Sequence, residues 1–409
     1  MQTRLADSVR NTPHGREADA ILRKCVHCGF CLAACPTYRL LGDELDGPRG
    51  RIYLIKQMLE GETPTAKTRL HLDRCLTCRA CETACPSGVQ YGQLLDIGRH
   101  AVVARAPRNV FDRLTYGLLR TVTASRTIFS PLLKLGQALR PLLPRALKRK
   151  VPPPARATAW PTRIHSRRML ALEGCVQPDL SPNTNAAAAR VLDRLGITLM
   201  RAPQAGCCGA IPHHLDAPRE GLDYMRNNID AWWPYIEQGA EAIVITASGC
   251  GVMVADYGRL LADDPVYAEK ARRVSELAKD IGEVVAAEKD CLKSLHSALS
   301  TRHSKVAFHP PCTLQHGLGL RGRTETLLAE LGFELTAVPD VSLCCGSAGT
   351  YSILQPELSQ RLLDNKIAAL ESGQPSAIVT ANIGCQLHLQ SATDLSVTHW
   401  IEVLDEWLA

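Results

Sequence analysis

Eight cysteines in the first 85 residues fall into two copies of one spacing. Cys25, Cys28, Cys31 and Cys35-Pro36 form the first, and Cys75, Cys78, Cys81 and Cys85-Pro86 the second. Each reads C-x2-C-x2-C-x3-C-P. Three thiols at two-residue intervals can curl around one inorganic core and hold three of its metals. The fourth thiol, three residues on, points away from that core. The proline after it fixes φ and lacks an N–H, so it stops a helix from running on through the loop.

Other uses of these thiols fit less well. A disulfide framework needs an oxidising compartment. The stretch MQTRLADSVRNTPHGREAD has no apolar signal-peptide core, so an intracellular setting is expected. Zinc sites use C-x2-C pairs of pairs rather than triplets closed by C-P. Eight thiols in one register do not suggest catalytic nucleophiles. The spacing is that of ferredoxins with two [4Fe–4S] clusters, where the fourth cysteine ligates the other cluster. This gives Cys25, Cys28, Cys31 and Cys85 to cluster 1, and Cys35, Cys75, Cys78 and Cys81 to cluster 2. His27 reads as a solvated loop residue. Between the motifs, Ile52, Ile55, Met58 and Leu59 keep helical spacing, and Gly61 reads as a stop. The module resembles the α-helical ferredoxin of fumarate and succinate reductase iron–sulfur subunits.

The 409 residues allow two or three domains. No apolar run is long enough to span a bilayer. The charge is uneven. Residues 113–172 hold 13 of the 47 Lys and Arg and none of the 41 Asp and Glu. Leu114, Leu118, Leu119, Ile128, Leu132, Leu133, Leu135 and Leu139 give this stretch amphipathic patches, and Pro152-Pro153-Pro154 marks a stiff connector. A solvated linker with packed helices, docking to anionic lipid headgroups, and docking to an acidic partner protein all remain open. No recognition module for nucleic acid accompanies the charge.

The second half repeats itself. Cys175 precedes Cys207-Cys208-Gly209 by 32 positions, and Cys312 precedes Cys344-Cys345-Gly346 by the same 32. IVITASGC ends at Cys250 and IVTANIGC ends at Cys385. Each repeat reads as strand, helix, strand, C-C-G loop and third strand, a parallel α/β pattern. Helices are expected over residues 186–195 and 324–331. All four cysteines of a repeat are expected on loops after strand ends, the edge where open α/β sheets hold ligands. The string Gly317-Leu-Gly-Leu-Arg-Gly322 lacks the preceding strand of a dinucleotide site. No FAD or NAD site and no catalytic arrangement stands out.

The C-x31-C-C-G element resembles the cysteine-rich CCG domain found in heterodisulfide reductases, whose motifs end in C-x2-C. Here the first of those two cysteines is Ala247 in one repeat and Asn382 in the other. Cys175, Cys207, Cys208 and Cys250, and Cys312, Cys344, Cys345 and Cys385, still suffice for metal sites. Iron–sulfur, zinc and a bare thiol cluster remain open there. His213, His214, His309 and His316 lie near these loops and have ligand chemistry, but each is expected as a surface or packing histidine. Cys291 belongs to neither repeat.

Two ferredoxin motifs followed by two CCG repeats resemble a family of respiratory iron–sulfur proteins. It comprises glycolate oxidase iron–sulfur subunits, the iron–sulfur chains of anaerobic glycerol-3-phosphate dehydrogenases, and lactate-utilisation proteins. CVHCGFCLAACPTYRLLGDELDGPRGRIYLIKQMLEG, LCCGSAGTYSILQPELS and VTANIGCQLHL carry the resemblance, which is strongest to the glycolate oxidase subunits. It implies a multidomain chain with an N-terminal α-helical two-cluster ferredoxin at 1–105 and a basic amphipathic linker at 106–168. Parallel-sheet CCG repeats would follow at 169–300 and 301–409. It implies two [4Fe–4S] clusters, with FAD on partner subunits that oxidise glycolate to glyoxylate and, secondarily, D-lactate to pyruvate. Electrons would pass through this chain to a quinone or other membrane acceptor, with the complex held peripherally on the cytoplasmic side of the membrane. The alternatives are a component of a glycerol-3-phosphate or lactate dehydrogenase, or a heterodisulfide-reductase-like enzyme.

Overall fold

A computed structural model describes residues 1–296 and 305–409. The expected boundary between the two repeats, at 300/301, lies outside the described residues. The chain divides into two units. One is Met1–Gly117 with Ser342–Leu362, and the other is Leu118–Val341 with Leu363–Ala409.

The first unit is helical. The expected inter-motif helix runs Pro48–Leu59, and its apolar stripe Ile52, Ile55, Met58 and Leu59 is buried. Proline at its first position is tolerated because that N–H has no intrahelical partner. Gly61 follows at φ 113°. Helices Pro13–Lys24 and Tyr91–Arg105 pack around it, sharing a core that includes Leu22, Leu94 and Leu95. Pro36 does more than interrupt a helix, because it opens the next one, Pro36–Leu41, with Cys35 as the cap residue.

The second unit holds two sheets of identical topology. The first comprises β1 (Arg167–Leu172), β2 (Ile197–Arg201), β3 (Ile243–Ile245) and β4 (Ala278–Asp280) in the order β2-β1-β3-β4. The second comprises β5 (Lys305–His309), β6 (Glu334–Leu335), β7 (Ala377–Thr380) and β8 (Ser396–His399) in the order β6-β5-β7-β8. All pairings are parallel. The expected helices appear as Asn183–Arg194 and Arg323–Glu330. The fourth strand of each sheet escapes the sequence pattern, because three or four residues are too few for a period of two to show.

One core joins the two sheets, with Ala187, Leu192, Phe308, Leu328 and Trp400 among its members. The junction is also polar. Arg190 binds Asp405 at 2.5 Å, Thr184 donates to Glu402 at 2.7 Å, and His399 Nε2 lies 2.8 Å from the Thr246 carbonyl. The ends of β3 and β7 are linked by Ser248 N–H donating to the Ala381 carbonyl at 3.2 Å. The two carboxyl edges therefore meet where Cys250 and Cys385 begin their helices.

Candidate metal centres

The two ferredoxin loops share one backbone shape. His27 and Gly29 are left-handed in the first (φ 56° and 87°), and Thr77 and Arg79 in the second (φ 53° and 57°). These positions are equivalent in the two copies. Glycine adopts such angles freely, whereas threonine and arginine do so at a cost. One-turn helices Phe30–Ala33 and Ala80–Thr83 then carry Cys31 and Cys81.

This folding gathers the thiols crosswise. Burial pushes the Cys31 thiol up to about 11, and Cys25, Cys28 and Cys85 add to the shift. Burial likewise raises Cys81 well above the ordinary thiol value, with Cys78, Cys75, Glu82 and Cys35 contributing. Four thiols packed this closely oppose one another's ionisation unless a cation lies among them. The donor set fits a metal–sulfur core. The first set borders a small open cavity of roughly 30 Å³, and Cys81 of the second set also lines it. Cys28 is exposed, whereas Cys35, Cys75, Cys78 and Cys81 are all buried.

Charge is built in around the second set. Arg51, 1% exposed, donates to the His71 carbonyl at 2.6 Å and the Thr37 hydroxyl at 3.2 Å, and lies 3.5 Å from Asp46. Burial opposes its charge, yet Tyr91, Cys75, Cys35 and Asp46 hold it protonated. Asp46 also accepts from Arg74 at 2.8 Å. Thr37 Oγ1 lies 3.2 Å from Cys35 Sγ. The sequence pattern does not reveal this shell, since an Arg inside an amphipathic helix reads as a surface residue.

In the first repeat, the thiols of Cys175, Cys207, Cys208 and Cys250 form a continuous chain. Cys207 contacts Cys175 and Cys208, and Cys208 contacts Cys250. Gly209 N–H donates to Cys207 Sγ at 3.4 Å, and Gly346 N–H does the same to Cys344. The glycine is required at both places. At φ 87° and 90°, a Cβ would lie 2.7 Å from the Gly221 carbonyl oxygen and 2.6 Å from that of Ser359. Asn228 and Tyr257 hold the Cys207 and Cys208 carbonyls at 2.8 Å each.

Cys250 and Cys385 do not sit on loops. Each lies in the first turn of a helix, Ser248–Ala255 and Ile383–Gln390, capped by Ala247 and Asn382. A short connection lets the helix start at the cap, and the amino-terminal end of a helix favours thiolate. Cys312 and Cys385 lie in the second unit, and Cys344 and Cys345 in the Ser342–Leu362 segment of the first. His309 is fully buried, and burial drives its pKa well below the usual imidazole value. Cys291 is exposed.

Residues 21–89 match the 4Fe-4S dicluster domain, and residues 169–255 and 306–390 match the cysteine-rich domain. The glycolate oxidase iron–sulfur subunit of Escherichia coli K12 is 57% identical over 409 residues, covering 100% of this chain and 99% of that protein. The chain belongs to the glycolate oxidase iron–sulfur subunit family. Another relative is the probable glycolate oxidase iron–sulfur subunit of Bacillus subtilis 168, 30% identical over 93% of this chain and 91% of its own length. Lactate utilization protein A of Bacillus velezensis is 26% identical over 56% of this chain and 96% of its own. Within the family frame, an iron–sulfur module comes first and the paired cysteine-rich domains follow.

Proposed function

We propose that this chain is the electron-transfer component of a complex that oxidises glycolate to glyoxylate, and D-lactate as a second substrate. The crosswise convergence of two four-thiol sets in one small helical unit carries this reading. Cys25, Cys28, Cys31 and Cys85 would hold one [4Fe–4S] cluster, and Cys35, Cys75, Cys78 and Cys81 the other. When bound, these clusters take up and release single electrons. The chain's own residues shield the second set, leave Cys28 at the surface, and place a permanent cation beside Cys75 and Cys35.

Removing hydride from an α-hydroxy acid is cofactor chemistry. We assign it to FAD on partner subunits, with this chain passing electrons to a quinone or other membrane acceptor. The CCG thiols Cys175, Cys207, Cys208 and Cys250, and Cys312, Cys344, Cys345 and Cys385, are read as two further metal sites. A division into domains at 105, 168 and 300 is part of this proposal and rests on the motif spacing of the sequence. Among the described residues, no helix is long and apolar enough to cross a membrane. Peripheral attachment on the cytoplasmic side is instead assigned to the basic helices after residue 110. Full-length similarity to glycolate oxidase subunits favours this reading over glycerol-3-phosphate or disulfide chemistry.

The test is the assembled complex carrying Cys28→Ala or Cys78→Ala. Each variant is expected to lose one cluster's EPR signal and to abolish glycolate-dependent dye reduction. Activity that survives either change sinks the reading.

A further inference from the structure

The second repeat departs from the first at one buried position. Counted back from Cys175 and Cys312, Leu172 and His309 are equivalent, each the last residue of its strand and three before the cysteine. Leucine suits that place, because β1 and β5 are interior strands with neighbours on both sides. His309 is only 1% exposed, and neither Nδ1 nor Nε2 has a hydrogen-bond partner. A buried polar group left unpaired is destabilising, because it has given up its water without a replacement. An imidazole with both nitrogens orphaned in a core therefore calls for something that binds nitrogen.

Its neighbour supplies the clue. A ring nitrogen of His309 and Cys385 Sγ lie within 4.8 Å of each other. The same repeat lacks the first thiol of the terminal C-x2-C, where Asn382 stands, with its Nδ2 3.5 Å from Cys385 Sγ. A thiol is missing and an imidazole is present beside the one that remains.

We propose that His309 is a metal ligand, replacing the lost thiol in a mixed imidazole–thiolate centre with Cys385. Within the same unit the sequence motif offers Cys312 as a further thiol. Imidazole and thiolate together suit zinc, as in Cys3His sites, or an iron–sulfur core in which histidine replaces cysteine on one iron. The first repeat, with Leu172 and four thiols in contact, is a thiolate-only site by comparison. The inference rests on the reading that the CCG motifs hold metal, and it names the ligand that distinguishes the two copies.

The experiment uses the full chain purified anaerobically, with metals counted by mass spectrometry and the ferredoxin EPR signals as internal reference. Wild type is expected to carry metal beyond the roughly eight irons of two cubanes. His309→Leu, which installs the first repeat's residue, is expected to lose one site's metal and leave the ferredoxin signals unchanged. His309→Cys is expected to keep it. Excess zinc identifies a mononuclear centre and excess iron a cluster, and either supports the proposal. X-ray absorption at the excess metal's edge, on wild type alone, is expected to show imidazole scattering that His309→Leu removes. No metal beyond the ferredoxin irons overturns both this proposal and the reading of the CCG motifs. Full metal content in His309→Leu, or no imidazole scattering in wild type, overturns the role of His309 alone and leaves the thiol sites standing. Should His309→Leu not fold, the wild-type absorption spectrum decides.

Discussion

Tyr351 donates its hydroxyl hydrogen to the carbonyl oxygen of Arg74, 3.1 Å away, one residue before Cys75. Tyr351 follows the second C-C-G motif, so the first unit binds this segment directly against the second ferredoxin thiol set. Arg361 adds a contact to the Leu40 carbonyl at 2.9 Å. Tyr351 is only 6% exposed. Tyr351→Phe is expected to cost about 1 kcal/mol for the lost hydrogen bond, with iron content unchanged. Tyr351→Ala is expected to cost about 3 kcal/mol or more through the cavity it leaves. Denaturant titration of the iron-loaded chain reads both. Equal stability in the three proteins would mean this contact does not hold the segment.

Arg51 sets the electrostatics of the second thiol set. A reduced cluster carries one more negative charge, and a buried guanidinium beside Cys75 and Cys35 favours it. Removing the cation is expected to lower that cluster's potential. Arg51→Met leaves Asp46 its contacts with Arg74 at 2.8 Å and His71 at 3.0 Å. The single change therefore removes the cation without stranding the carboxylate, whereas a double change with Asp46→Asn would cancel the charge difference. A tenfold shift in the reduction equilibrium, about 59 mV for one electron, is the expected scale in an EPR redox titration. The first cluster's potential should stay fixed. A downward shift of both clusters together would indicate general disruption.

Exposure separates the two sets in a second way. Cys28 is exposed, while all four thiols of the second set are buried. Oxidant reaches a cluster through its open side, so measured aeration is expected to destroy the first cluster several-fold faster than the second. EPR of samples frozen during air exposure follows both. Equal rates would mean that the cavity at the first set does not govern access.

Asp280 gives the α/β unit a pH dependence. Its Oδ1 accepts from Gly282 N–H at 2.8 Å as a helix cap, and its Oδ2 is buried without a partner. Burial pushes the carboxyl up to about 7, against the Gly282 bond that lowers it. The folded state therefore holds a proton that the unfolded chain releases near pH 4. Stability falls as pH rises from about 4 to 7 and levels off above. Asp280→Asn keeps the cap acceptor and carries no charge. It is expected to flatten this slope and to gain up to about 4 kcal/mol at pH 8, at 1.36 kcal/mol per unit. Parallel slopes in the two proteins, by denaturant titration from pH 5 to 8, would rule Asp280 out as their source.

The parts legible in the sequence are those that repeat. The ferredoxin spacing, the 32-residue offset before each C-C-G, and the helix over Ile52–Leu59 all reappear as structure. What stayed hidden depends on residues far apart in sequence. Arg51 meets Asp46 and His71 only when three segments pack, and short β4 and β8 carry no period. His309 sits in a run, KVAFHPPC, whose alternation does not say that its imidazole is buried beside Cys385.

The basic stretch leaves apolar side chains in water. Ile128, Leu132, Leu135 and Leu139 form one exposed stripe on helix Arg126–Leu139, and Leu142 beyond it is 82% exposed. No residue of that helix is buried. An apolar stripe in a region free of acidic residues suits the headgroup boundary of an anionic bilayer. Several of the cations are already engaged, as Arg126 is with Asp179 at 3.3 Å, so the apolar stripe should supply most of the attachment. Because both residues are exposed, Leu132→Asp with Leu135→Asp is expected to leave iron content and folding intact. It is expected to weaken co-sedimentation with phosphatidylserine vesicles at least tenfold, since each leucine contributes on the order of 1 kcal/mol. Added salt should weaken binding of the wild type only in part, because the apolar share is not screened. Undiminished vesicle binding by the double variant would leave the stripe to a partner protein. Its loss should then be read instead as failed assembly of the complex.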